Sequence, residues 1–141
     1  MNKFIKFVGF LLLITIVFSG GFISAKLLYN KPTREIQVGY EEPGQQGVIE
    51  IRKVINDVNN QDKIDFIQQM LTFAKQINVN KKDLGKSDLH LFINSPKQGI
   101  RLMEIRIWFT DDGAIIDMGD YRKIDQSEAK ILKKMLGYKE Q

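Results

Sequence analysis

The chain has 141 residues, 43% of them hydrophobic, with one histidine and no cysteine. That is enough for one ordinary hydrophobic core, and it excludes disulfides, thiol nucleophiles and thiolate metal sites. The formal charge of +4 invites a nucleic-acid reading, but Lys3, Lys6 and Lys26 belong to an N-terminal apolar run; without them the 21 basic residues fall to 18 against 17 acidic ones, too even for the basic face that nucleic-acid binding needs.

The apolar run, residues 7–28, reads FVGFLLLITIVFSGGFISAKLL. A helix rises about 1.5 Å per residue and a bilayer's hydrocarbon core is about 30 Å thick, so about 20 apolar residues span it. No charge interrupts residues 7–25, where Thr15, Ser19 and Ser24 are the polar residues. Lys26 is placed to snorkel to the far interface. Residues 1–29 are therefore expected to be a transmembrane anchor or signal segment, residues 30–33 a connector containing Pro32, and residues 34–141 one extracytoplasmic domain.

Lys3 and Lys6 favour a cytoplasmic N-terminus for a single-pass anchor, with the domain outside the cell membrane. The alternative is secretion after cleavage before Phe22, because Ser19 and Gly21 supply the small residues a signal peptidase needs. Absence of cysteine excludes a lipoprotein anchor. Gly20 and Gly21 lie inside the apolar run, so they form no phosphate loop; they fit close helix packing or the end of a signal core.

Beyond the connector, Ile36, Val38 and Tyr40 alternate with polar residues and predict a strand over residues 34–40. Residues 41–47, EEPGQQG, are loop by composition. Ile51, Val54, Ile55 and Val58 recur at helical spacing and predict a helix over residues 48–58, although the opening Ile49-Glu50-Ile51-Arg52 also suits a strand. Residues 59–62 break that pattern. A second helix follows, with Ile64, Ile67, Leu71, Ala74 and Ile77 on one face and Asp62 as its N-cap. Residues 78–87 read as loop.

The second half predicts a β-meander. In residues 88–94, Leu89, Leu91 and Ile93 face one way and His90 and Phe92 the other. Residues 95–99 form a turn, and residues 101–109 alternate Met103, Ile105, Ile107 and Phe109 against Leu102, Glu104, Arg106 and Trp108. Asp111-Asp112-Gly113 closes a hairpin onto a return strand over residues 114–118. A last helix over residues 126–136 has Asp125 and Glu128 at capping-box spacing, Gly137 as its stop and three lysines toward its negative end. Ala129, Leu132, Met135 and Leu136 make its buried stripe. The fold class expected is α+β: three or four mainly antiparallel strands and about three helices behind the N-terminal segment.

Chemistry-bearing motifs are sparse. His90 has no second histidine or cysteine for a zinc site, and its strand position puts it near Glu104 or Arg106 across the hairpin. Asp111, Asp112, Asp117 and Asp120 miss the spacing of a calcium loop. Ser87, Ser95 and Ser127 have no base nearby in sequence, and none sits in a nucleophile elbow. No metal, cofactor or catalytic residue is expected. The candidate interaction surface is the outer face of the meander: His90, Phe92, Glu104, Arg106 and Trp108, a combination of aromatics and arginine common at protein interfaces.

The composition is similar to that of small exported proteins of Gram-positive bacteria, and no motif names a family. The expected function is a non-catalytic, membrane-anchored, extracytoplasmic protein-interaction domain of a bacterial cell envelope, with an envelope protein as partner and no nucleic acid. The alternatives are a cleaved, secreted inhibitor or immunity-like protein, and a small envelope hydrolase. Nothing in the sequence fixes an oligomeric state.

Overall fold

A computed structural model of the chain describes residues 3–29, 31–45 and 47–139. The chain forms two compact units that divide between Lys31 and Pro32. The first is α1, Lys3–Tyr29. Its stretch Ile5–Leu27 has a mean hydropathy of 2.3, is not buried within the protein, and is long and apolar enough to cross a membrane. By length and composition it suits a span or a secretory signal equally. The helix is apolar all round, so Phe7, Phe10, Leu13, Val17 and Phe22 all lie exposed on its surface. Thr15 is accommodated because its hydroxyl donates to the Leu11 carbonyl, 2.9 Å away in the preceding turn.

The second unit is α+β. Seven antiparallel strands form one open sheet in the order β2-β1-β4-β5-β6-β7-β3. They are β1 Glu35–Glu41, β2 Ile49–Asn56, β3 Lys75–Gln76, β4 Leu89–Ser95, β5 Ile100–Thr110, β6 Gly113–Asp117 and β7 Tyr121–Asp125. Helices α2, Asp57–Phe73, and α3, Gln126–Leu136, cover one face. Alternate residues of the strands, among them Ile36, Val38, Leu89, Leu91, Ile105, Ile107 and Ile116, meet Ile64, Ile67, Leu71, Leu132 and Leu136 in one core. Full burial of each such aliphatic side chain contributes about 1.5–3 kcal/mol before conformational entropy is counted.

The α+β class agrees with the expectation, but the sheet has seven strands rather than three or four. Residues 48–58 are the largest difference. The expected helix is instead β2 followed by the start of α2, and of its supposed apolar face only Ile55 is buried. Ile51, Val54 and Val58 are 41%, 51% and 52% exposed. The β-branched residues and the 41–48 turn favour hairpin pairing with β1, and that pairing outweighs a helical spacing with no surface to cover. The expected break does appear, as a kink at Asn60 (φ −142°, ψ 41°), but α2 has already begun at Asp57. Asp62 is therefore inside the helix and not its N-cap. The Asp57 carboxylate instead accepts the Thr33 and Arg34 amides, each at 3.0 Å. At the other end α2 stops at Phe73, so Ile77 lies beyond the helix, past the two residues of β3.

Two strand glycines are fixed by space. A Cβ on Gly39, at the β1 bulge, would run into the Ile49 side chain, and one on Gly113 (φ +146°) would run into the Ile124 carbonyl. The expected end of the chain holds. Asp125 and Glu128 form a reciprocal capping box, and Gly137 closes α3 in the left-handed conformation.

Candidate binding cleft on the outer sheet face

The face opposite the helices carries the five residues singled out in the sequence. His90 pairs with Arg106 and Phe92 with Glu104 across β4 and β5, while Trp108 lies two residues beyond Arg106 on the same face. The strand alternation therefore gathers them as expected. What differs is exposure. Phe92, Trp108 and His90 are only 4%, 7% and 9% exposed, although they lie on the face turned away from α2 and α3.

The segment from Gly85 to Asp88 supplies part of the cover. The Trp108 indole donates to the Gly85 carbonyl at 3.3 Å, and the Phe109 amide donates to the Asp88 carboxylate at 2.6 Å. Tyr121 leans against the Trp108 ring, Arg106 lies 5.9 Å above that ring, and Arg101 lies 4.1 Å above Phe92. Phe92 and Trp108 are packed under polar neighbours and are not free aromatic anchors.

Between this segment and the 41–48 turn opens a cleft of about 640 Å³, with His90, Arg106 and Trp108 in its lining. Its first wall is built by the turn joining β1 to β2. There the Glu42 amide reaches the Val48 carbonyl at 2.8 Å, and the Gly47 amide reaches the Glu41 carboxylate at 2.7 Å. Lys86 leans across from the second wall, its ammonium 3.4 Å from Glu41. The Gly47 amide, reinforced by Lys86, holds the Glu41 carboxyl below its ordinary range. On the floor, Arg106 donates to Asp117 at 2.5 Å.

His90 has two neighbours of chemical interest. Its Nε2 is 3.0 Å from the Ser87 hydroxyl, and its Nδ1 is 3.6 Å from Glu104 and has no hydrogen-bond partner among the described residues. Burial pushes the imidazole pKa below 6.5 against the opposing pull of Glu104, so the ring is neutral at pH 7. From the sequence Ser87 is expected to have no base beside it. The chain runs into β4 within three residues of Ser87, and that entry brings the hydroxyl under the ring. The signal was the spacing Ser-x-x-His where a loop enters a strand.

No protein-family model, curated protein or solved structure matches this chain. Function therefore rests on the cleft's own chemistry. Ser127 caps α3 through Asp125. Three of the four aspartates from Asp111 to Asp120 are engaged locally: Asp112 with Thr110 and Lys123, Asp117 with Arg106, and Asp120 with Arg122. Among the described residues no group of three or more His, Asp or Glu is placed to hold a metal ion. The cleft is suited to an uncharged or zwitterionic stretch of ligand, since Glu41 and Glu42 face Lys86 and Arg106 around an indole and Ile49.

Proposed function

We propose that this chain is a membrane-tethered domain of a bacterial cell envelope that holds a segment of another envelope protein in its outer-face cleft. Residues 7–28 anchor it as a single-pass helix with a cytoplasmic N-terminus, and the domain works outside. The observation that carries the reading is the cleft itself. Ile49 and the rim of the largely buried Trp108 ring line it between walls that carry both charge signs. A volume of about 640 Å³ is in the range of sites that bury a few side chains.

Photo-crosslinking in intact membranes tests it. A benzoylphenylalanine at Gln45, on the cleft wall, is expected to yield a discrete protein adduct, and one at Phe73, far from the cleft and 79% exposed, is expected to yield none. Equal adducts from both positions, or none from Gln45, would overturn the reading.

A further inference from the structure

We infer that Ser87, His90 and Glu104 form an acyl-transfer array at the cleft, with Ser87 as nucleophile, His90 as base, Glu104 as the positioning residue and a carboxylic ester as the substrate class. The inference rests on the cleft being the working site proposed above. Three observations carry it. Ser87 lines the cleft, and its hydroxyl is already within hydrogen-bond reach of His90 Nε2. His90 is 9% exposed, and its other ring nitrogen, without a hydrogen-bond partner among the described residues, is 3.6 Å from the Glu104 carboxylate. The Glu104 side chain is 47% exposed, with Oε1 3.6 Å from His90 Nδ1 and Oε2 3.8 Å from Arg101. Such contacts are commonly long in a free enzyme and tighten when substrate binds.

A proton on Nδ1 directed at Glu104 leaves the Nε2 lone pair for the Ser87 hydroxyl, which is the polarity nucleophilic catalysis requires. The Ser87 oxygen then attacks the ester carbonyl carbon while its proton passes to His90 Nε2. The carbon–oxygen bond to the alcohol breaks, and the alcohol leaves with that proton. Water, deprotonated by the same nitrogen, attacks the acyl-serine, releases the carboxylic acid and restores Ser87. The oxyanion formed at each addition has donors at hand. The Lys86 and Ser87 amides meet no backbone carbonyl among the described residues, and Lys86 and Arg106, paired with Glu41 and Asp117, line the same cleft.

The experiment uses the full chain in detergent, a fluorophosphonate probe with mass-spectrometric mapping of the adduct, and hydrolysis of p-nitrophenyl butyrate. Ser87 is expected to be labelled at least tenfold faster than Ser95 or Ser127. Ser87→Ala and His90→Gln abolish labelling and hydrolysis, with folding checked by circular dichroism. Glu104→Gln lowers kcat by at least about tenfold at unchanged KM, a split that a merely structural role would not produce. Ser87 unlabelled in the folded wild type, or labelled as fast in folded Glu104→Gln, overturns the array. The two proposals fail separately: a Gln45 crosslink without Ser87 labelling sinks only the chemistry, while Ser87 labelling without the crosslink sinks only the protein-segment reading.

Discussion

His90 is the residue on which burial and charge compete most directly. Desolvation favours the neutral ring, Glu104 and Glu41 favour the charged one, and Arg106 on the paired strand opposes protonation again. Burial wins, so the folded pKa lies below 6.5 and the unfolded chain binds the proton more readily. Stability is then fully present above about pH 6.5 and declines as pH falls from there toward the folded pKa, by at most about 1.4 kcal/mol per pH unit from this group. Because the chain has one histidine, its ring-proton NMR signal reports the titration without assignment; a midpoint at or above 6.5 would contradict the burial account. Trp108 belongs to the same layer. Trp108→Ala should cost about 3–5 kcal/mol in urea unfolding, because it empties the space under Gly85 and Tyr121. Trp108→Phe should cost only about 1–2 kcal/mol, since it keeps much of the packing and loses mainly the indole bond. A Trp108→Ala variant as stable as wild type would return this ring to the exposed surface. Strand alternation shows which face these residues share, but not their burial, because the cover is a polar loop segment, Gly85 to Asp88, that carries no periodic apolar signal.

At the scale of elements, legibility follows how local the determinants are. The capping box and Gly137 identified α3 to the residue, since both act within one turn of the helix. The hairpin between β5 and β6 was legible for the same reason. β7 was missed because YRKID contributes one buried residue, Ile124, and owes its conformation to pairing with β6; β3, two residues long, exists by pairing with β7. The 48–58 segment carried both periods at once, and its tertiary partner β1 chose between them. Gly113 is where local and tertiary demands coincide. Its φ of +146° is strained for any side chain, and a Cβ there meets the β7 backbone. Gly113→Ala should therefore destabilise the domain by about 1–3 kcal/mol from backbone strain alone, with more from the displaced strand. Gly44→Ala, at φ +80° with open space around it, should cost about 1–2 kcal/mol. Denaturant midpoints of the two variants side by side check the difference, and equal costs would mean that the close approach of β7 adds nothing.

For the whole molecule, the open question is what α1 is for, and the composition of its middle bears on it. A signal peptide ends its apolar core at the cleavage site, whereas here Phe22, Ile23 and Leu27 continue the apolar surface for more than a turn past Gly21, all of them more than half exposed. If the cell cut before Phe22, it would leave a new N-terminus carrying that apolar stretch into water, an exposed patch of the kind soluble proteins avoid. An uncleaved helix buries the same side chains in lipid. The expected outcome is therefore a chain of 16.3 kDa that stays in the membrane pellet after alkaline carbonate extraction. On the proposed topology, in which Lys3 and Lys6 favour a cytoplasmic N-terminus, protease added to spheroplasts should remove the domain and leave α1 behind. Ser19→Leu with Gly21→Leu makes the decision sharp. It removes the small residues that a peptidase requires, so an anchored chain should be unchanged in mass and location. A mature protein beginning at Phe22 that shifts to full length in this double variant would make the chain secreted and end the tethered reading.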